Sequence, residues 1–204
     1  MTGLRARQKA DRNRRLTEAA VDLFRDAGYD AVRIEDIAAR AEVSVGTFYN
    51  YFETKGDLLV SIVTMEVEEV LESGTPVVAN PPADPAEAIL RLIDGYFDHS
   101  QVYLTKEMWR RAMAISIEAP TTPFSVRYTE LDRKLSDQVC ALILRLQEAG
   151  RLRTDMPASA LGGMLFNDLN NAFMEFVKSE DMTLVELKAQ IAAHVRPLAH
   201  VLTP

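Results

Sequence analysis

The chain has 204 residues, of which 48% are hydrophobic and 26% are charged, and its net charge is −7. This length and composition allow a substantial core, and a single cysteine, Cys140, excludes an internal disulfide. No apolar run reaches the about 18 residues that a membrane helix needs, and no segment resembles an export signal. We therefore expect a cytoplasmic protein with no membrane partner.

The charge is unevenly distributed along the chain. Residues 1–60 carry ten basic and ten acidic side chains, whereas residues 61–204 carry 13 and 20, which accounts for the net −7. Residues 1–15 alone hold six basic side chains and one acidic one, a net of +5. Such a basic arm can lie along DNA phosphates or in a minor groove, and the alternative is a disordered, solubilising tail.

Helix-forming residues dominate, and no run of alternating β-branched residues predicts a strand. A first helix is expected from about Arg12 to Ala27, with Gly28 as its terminator. Residues 34–58 read IEDIAARAEVSVGTFYNYFETKGDL and predict a short helix, a tight turn, a second short helix and the start of a third. This is the helix-turn-helix arrangement, which places its second helix in a DNA major groove.

The second short helix of this motif separates into two faces. Ser44 stands at its N-cap, and Phe48 and Phe52 form an inner face. The outer face and the flanking positions offer short hydroxyl and amide groups, and Tyr49 and Lys55 are expected to contact phosphates. Val45, Thr47 and Asn50 are expected nearest the base edges. The full set of predicted DNA-contacting residues is Arg33, Ser44, Val45, Gly46, Thr47, Tyr49, Asn50, Tyr51 and Lys55.

The spacing AxxA followed by VSxGTxYxYFxxKxxL resembles the TetR family of bacterial transcriptional repressors over residues 12–60. Arg33 stands where the family usually has a capping Thr or Ser, so a cap is lost and a possible phosphate cation is gained. Glu42 replaces the usual turn glycine, which should cost up to about 1 kcal/mol if its backbone is left-handed. The resemblance implies a nine-helix homodimer.

The remaining helices follow from caps and breakers. The helix that begins near Lys55 is expected to end at about Glu72, because Gly74 and Pro76 follow, and the segment GTPVVANPPADP is expected to be a loop. Five further helices are predicted, after Asp84, after Thr105, over about 124–149, over about 158–178, and over about 184–201. The fold class is thus all-α with about nine helices. We predict a helix-turn-helix DNA-binding domain over residues 1–54 and a helical effector-binding and dimerisation domain over residues 55–204.

The last two predicted helices each carry an apolar stripe. Two such helices from each of two copies would bury these stripes as a four-helix bundle, as the resemblance implies. Packing within one chain is the alternative. The residues expected at the dimer interface are Leu165, Leu169, Phe173, Phe176, Leu187, Ile191 and Val195.

Aromatic and methionine side chains of the central helices could line an apolar pocket, although such stripes are often plain core. Asn167, Asn170 and Asn171 form a polar strip that would supply hydrogen bonds inside the pocket or face solvent. The residues expected to contact a ligand are Tyr96, Trp109, Met113, Tyr128, Asn167 and Asn170. Such a pocket suits a mostly hydrophobic effector with one or two hydrogen-bonding groups, unless Arg110 or Arg111 turns inward and favours an anion.

Catalytic and metal signatures are absent from the sequence, and its three histidines have no metal-ligand spacing. We therefore expect no enzymatic activity, cofactor or metal. The sequence predicts a ligand-responsive repressor that binds a pseudo-palindromic operator as a homodimer and is released by a small hydrophobic effector, with the helix after Lys55 carrying the change. The alternatives are an activator, a ligand-independent regulator, or an all-helical enzyme that retains the motif as scaffold.

Overall fold

The computed structural model describes residues 2–204, with side chains from Ala6 onward. Helices are the only regular elements of that described chain, and this confirms the all-α prediction. Their bounds are α1 Thr2–Ala27, α2 Ile34–Arg40, α3 Val45–Tyr49, α4 Lys55–Ala79, α5 Pro85–His99, α6 Lys106–Glu118, α7 Pro123–Glu148, α8 Ala158–Lys178 and α9 Leu184–Leu202. None of these helices combines the length and apolar character needed to cross a membrane.

Two helices are longer than the sequence predicts. α1 begins at Thr2 rather than near Arg12, so the basic arm is helical. The Arg14 side chain pairs with Asp11 at 2.7 Å and with Glu18 at 2.9 Å, one helical turn away in either direction. The side chain of Arg5, which belongs to the predicted arm, lies outside the described residues.

α4 continues to Ala79 and includes Pro76, so the expected stop at Gly74 and Pro76 is wrong. A proline removes one backbone hydrogen bond without forbidding helix where the lost bond is compensated. On either side of Pro76 the backbone carbonyls keep their partners: the Thr75 hydroxyl and the Gln138 amide donate to the Leu71 carbonyl at 2.9 and 2.8 Å, and Asn80 N–H donates to the Pro76 carbonyl at 3.0 Å. The helix therefore continues through a sequence that predicts a loop.

The described chain forms two compact units. The first unit comprises the chain up to Met65 together with Tyr103–Tyr128 and thus holds α1–α3, the start of α4 and α6. The second unit comprises Glu66–Val102 and Thr129–Pro204 and holds α5, α8 and α9. The predicted division of function between residues 54 and 55 stays a prediction.

The core of the first unit is made by the inner faces of α1, α2, α3 and the start of α4. Side chains with an exposed fraction of at most 1% in this core are Leu16, Ala20, Phe24, Ile37, Ala38, Phe48, Leu58, Leu59, Ile62 and Val63. Phe48 also contacts Phe52, with ring centroids 5.6 Å apart. Because this packing fixes α3 from behind, only its opposite face is left for recognition.

The second unit buries the apolar stripes of α8 and α9 inside the single chain. Leu187, Ile191 and Val195 are at most 1% exposed, and Phe176 is 1% exposed. Phe173 stacks on Phe97 of α5, with centroids 6.2 Å apart. A side chain with no exposed area cannot gain contact area from a second copy. Leu165 and Leu169 are 4% and 6% exposed and also belong to this core, whereas Phe173 is half-buried. The predicted dimer interface stays a prediction.

Candidate nucleic-acid interface

The α1–α2 connection ends at Arg33, which is the N-cap of α2. An arginine side chain has no hydrogen-bond acceptor, so it cannot cap the helix itself. The Asp36 carboxylate instead accepts from the Arg33 backbone N–H at 3.1 Å. The Arg33 guanidinium lies at the surface, 73% exposed, with its Nε 3.3 Å from Glu35. The missing cap is thus partly replaced, and the cation stays accessible to an anion.

The turn between α2 and α3 contains a left-handed residue at Glu42, whose φ is 54°. For a residue with a Cβ this conformation costs about 1 kcal/mol or more. Val43 N–H donates to the Ala38 carbonyl at 2.9 Å, which holds the turn closed. The Glu42 carboxylate is exposed, 3.8 Å from Arg15 of α1. The turn therefore keeps the geometry of the motif despite the absence of glycine.

The N-terminus of α3 is capped by Ser44, whose Oγ accepts from Thr47 N–H at 3.1 Å. The hydroxyls of Ser44 and Thr47 also share a hydrogen bond of 2.9 Å. Both hydroxyls therefore orient the helix, and each keeps capacity for one further partner. The predicted N-cap is confirmed.

The outer face of α3 is formed by exposed and half-buried side chains opposite the buried Phe48. Tyr49 is 53% exposed, its ring edge-on to Phe48 at 5.6 Å between centroids. Gly46 and Asn50 are exposed, and Val45 is half-buried. Tyr51 is half-buried and contacts Phe52, at 6.5 Å between centroids. We call Val45, Gly46, Tyr49 and Asn50 the reading face.

Lys55 is placed differently from the sequence-based expectation. Its ammonium donates to the carbonyls of Tyr29 at 2.6 Å, Val32 at 2.9 Å and Asp30 at 3.3 Å. It also lies 4.4 Å from the centroid of the Tyr29 ring. An ammonium has three N–H groups, and all three have a backbone acceptor here. Burial lowers the pKa of Lys55. Lys55 is therefore a clamp on the α1–α2 loop in this structure, and its predicted phosphate contact stays a prediction.

The cations of α1 fall into two groups. Arg14 and Arg15 are paired with carboxylates of Asp11, Glu18 and Glu42. Arg7, Lys9 and Arg12 are exposed and form no ion pair with the side chains that the structure describes. Simple charge counting misses this division, which follows from i, i+3 and i, i+4 pairing on one helix.

The six predicted ligand-contacting residues do not converge in one unit. Trp109, Met113 and Tyr128 belong to the first unit, in which Trp109 and Tyr128 are buried and Met113 is half-buried. Tyr96 is buried in the second unit, where its hydroxyl donates to the Gln138 side chain at 2.7 Å. Burial raises the pKa of this hydroxyl.

The asparagine strip lies on the outside of the second unit. Asn167 and Asn171 are exposed, and Asn170 is half-buried. Asn167 is therefore placed at the surface rather than inside a pocket, because the apolar stripe of α8 takes the inward positions. Within the region that the structure describes, no group of three or more His, Cys, Asp or Glu side chains could hold a metal ion.

Comparison with known proteins shows which protein family has the same helix-turn-helix motif. The profile of the family described as "Bacterial regulatory proteins, tetR family" matches residues 16–62. The HTH-type transcriptional repressor KstR of Rhodococcus jostii is 33% identical over 110 residues, covering 54% of this chain and 51% of that protein. The HTH-type transcriptional regulator BetI 1 of Chromohalobacter salexigens is 32% identical over 130 residues, 63% of each chain. The matched region thus spans between half and two thirds of these relatives.

Solved structures share the fold over more than nine tenths of the chain. A TetR-family transcriptional regulator from Pectobacterium atrosepticum superposes with a TM-score of 0.75 at 20% identity, covering 96% of both chains. FadR of Thermus thermophilus, a TetR-family repressor solved with lauroyl-CoA, superposes with a TM-score of 0.66 at 22% identity, covering 92% of this chain and 93% of that one. Residues 16–62 thus match the TetR family of bacterial regulatory proteins, and nearly the whole chain shares the fold of these solved structures.

Proposed function

We propose that the chain is a ligand-responsive transcriptional repressor that binds a pseudo-palindromic operator as a homodimer. The observation that carries this proposal is the reading face of α3. It is exposed at Tyr49 and Asn50, while the opposite side of the same helix is anchored by a fully buried Phe48. An anchored helix with a polar, accessible outer face is what major-groove docking requires.

The contacts divide into base-reading and phosphate-binding groups. Asn50 and Val45 are the candidates for base edges, since an amide can bond adenine bidentately and an apolar group can contact a thymine methyl. The candidates for phosphates are Tyr49, Arg33 and three exposed cations of α1, Arg7, Lys9 and Arg12. The N-terminal turn of α3 contains Ser44, Gly46 and Thr47, and the positive end of the helix dipole there also favours a phosphate.

Homodimerisation requires a surface that the single chain leaves open. The outer faces of α8 and α9 provide one, because Met164 is 61% exposed, Met174 is 37% exposed and Val201 is 67% exposed. The His194 imidazole joins the two helices through a 2.9 Å contact with Asp168. We call the exposed residues Met164, Asn167, Asn171, Met174, Gln190, His194, Pro197 and Val201 the outer face. A second copy is its proposed occupant, since an isologous contact lets the asparagines pair with their symmetry mates.

Exposed positions allow a direct test of the outer face. Replacing Met164 by Glu puts a charge within the proposed contact and should shift sedimentation to the monomer, while the far-UV circular dichroism stays unchanged. Val185→Glu, at a position that is 76% exposed outside the outer face, is the matched control. A Met164→Glu protein that still sediments as a dimer would show that another surface joins the copies.

The effector is proposed to be mostly apolar. Buried Trp109 and Tyr128 supply aromatic surface, and the related fold of FadR holds lauroyl-CoA. Lauroyl-CoA is therefore a suitable first probe in a thermal-shift assay. A ligand at 100 times its dissociation constant adds about 2.7 kcal/mol, which raises the melting temperature of a domain of this size by about 5–10 °C.

The deciding experiment is selection of genomic fragments, followed by gel shift over a salt series. We expect a preferred palindromic site that is held more weakly as salt rises. Asn50→Ala should change the preference at one base position of each half-site by about 1–3 kcal/mol. Asn80→Ala, at an exposed position beyond α4, should leave it unchanged. The rival hypothesis, an enzyme that keeps the motif as scaffold, predicts no sequence preference for the wild-type chain.

A further inference from the structure

The loop of residues 28–33, which joins α1 to α2, is held from α6 as well as from α4. On the α6 side, the Glu107 carboxylate accepts from the Tyr29 backbone N–H at 3.2 Å. It sits directly against Gly28, whose φ is +82°, and a Cβ on this glycine would lie 3.2 Å from both Glu107 oxygens. Gly28 thus permits both the left-handed turn and the close approach of the carboxylate.

A second α6 side chain reaches the same loop one turn further on. Arg111 lies 3.4 Å from the Asp30 carboxylate, and its guanidinium carbon is 5.6 Å from the centroid of the Tyr29 ring. Glu107 and Arg111 are four residues apart and therefore share one face of α6. Tyr29 itself is 5% exposed, and Lys55 approaches the same ring. The loop backbone is thus bound on two sides, by α4 and by α6.

The same helix carries residues of the proposed effector site. Trp109 and Met113 are each two positions beyond Glu107 and Arg111, so they turn toward a different side of α6. Trp109 is buried, as are Met108 and Ala112. Glu107, Trp109 and Arg111 lie within one continuous helix of 13 residues. If that helix shifts as a unit, a displacement at Trp109 also displaces the carboxylate and the guanidinium that hold the loop.

We propose that Glu107 and Arg111 are positioning residues through which α6 sets the orientation of α2 and α3. Movement of α6 then reaches the reading face through the loop of residues 28–33, in addition to any change carried along α4. This inference rests on the proposed function, and it identifies how the effector site and the DNA site are coupled. The loop leads into the N-cap of α2 at Arg33, so its displacement is passed on without an intervening flexible segment.

Coupling between two sites is reciprocal, so DNA binding must also act on α6. Trp109 is the only tryptophan of the chain and reports on α6 without any knowledge of the effector. We expect its emission to change when the selected operator is added. Loss of the hydrogen bond between Glu107 and Tyr29 N–H should remove the effect of operator binding on Trp109 emission. It should also weaken operator binding about tenfold, which is within the usual range of such couplings.

The experiment compares four proteins: wild type, Glu107→Ala, Glu107→Gln and Glu118→Ala. Glutamine retains an oxygen that can accept from Tyr29 N–H, so Glu107→Gln should recover most of the affinity and of the Trp109 response. Glu118 is an exposed carboxylate near the C-terminus of the same helix, which makes its alanine variant the matched control. Asp30→Asn removes only the surface partner of Arg111 and serves if Glu107→Ala fails to fold.

The outcomes separate this inference from the proposed function. A wild-type protein that prefers no DNA sequence overturns both. A wild-type protein that binds its operator with no change in Trp109 emission overturns the coupling alone. The coupling is also overturned if Glu107→Ala binds the operator and changes its Trp109 emission to the same extent as Glu118→Ala. The same holds for Asp30→Asn if it replaces Glu107→Ala. The proposal is supported if Glu107→Ala loses both operator affinity and the change in Trp109 emission while Glu107→Gln recovers them. A general loss of stability would not be restored by an amide that only keeps the hydrogen-bond acceptor.

Discussion

Substitution of Lys55 by methionine distinguishes a clamp from a phosphate ligand. Methionine keeps an unbranched apolar stem and removes the ammonium, so the carbonyls of Tyr29, Asp30 and Val32 lose their donor. The two shorter bonds, at 2.6 and 2.9 Å, are charge-assisted and are worth about 1.5 kcal/mol each. The contact with the Tyr29 ring adds about 0.5–1 kcal/mol.

The sum, about 3.5–4 kcal/mol, has to be reduced because the site is only half-buried. Water can reach the carbonyls once the ammonium is gone, and the lowered pKa of Lys55 shows that its burial already opposes the charge. We therefore expect Lys55→Met to lose about 2 kcal/mol of unfolding free energy. With a urea m-value of about 2 kcal/mol/M, the unfolding midpoint should fall by about 1 M.

The second measurement is the salt dependence of operator binding. A residue that contacts a phosphate contributes about 0.9 to the slope of log K against log salt, and a clamp contributes nothing. Lys55→Met should therefore keep the wild-type slope. Arg12→Ala, at an exposed position of α1, is the comparison that should flatten the slope without moving the urea midpoint. A Lys55→Met protein with a flatter slope and an unchanged midpoint would refute the clamp and restore the phosphate role.

Three further substitutions test the packing and charge of the fold. Burial raises the pKa of Asp132 from 3.8 to about 6. Between about pH 4 and 6 the folded chain therefore keeps a proton on this carboxylate that the unfolded chain has lost, and the free energy of unfolding falls as the pH rises. Asp132→Asn should remove about 3 kcal/mol of this dependence in urea unfolding at pH 4 and pH 8, and equal curves for the two proteins would contradict it. A Cβ on Gly162 would lie 2.6 Å from the Cys140 Cα, so Gly162→Ala should destabilise by about 1–3 kcal/mol, whereas Gly163→Ala, with open space around it, should not. Glu42→Gly should stabilise by about 1 kcal/mol, because glycine adopts the left-handed backbone without strain, and an unchanged or lower melting temperature in thermal unfolding would contradict this.

Local features of the fold could be read from the sequence because they depend on neighbouring residues. The caps at Ser44, Thr105 and Thr183 are all present, each accepting from a backbone N–H three residues on. The two faces of α3 follow from the helical period, and Phe48 and Phe52 are buried as expected. These interactions span one helical turn, so residue type and spacing suffice to predict them.

The placement of long side chains and apolar stripes could not be read in this way. Lys55 binds carbonyls 23 to 26 positions earlier in the chain, and Glu107 binds a backbone N–H 78 positions earlier. The periodicity of α8 and α9 marked Ile191 and its neighbours as apolar, but only the packing of α5 against α9 and of α8 against α9 shows that the chain itself covers them. An amphipathic pattern states how much apolar surface a helix has to bury. Which surface covers it, and which donor a distant carbonyl receives, is decided when the chain folds and brings remote segments together.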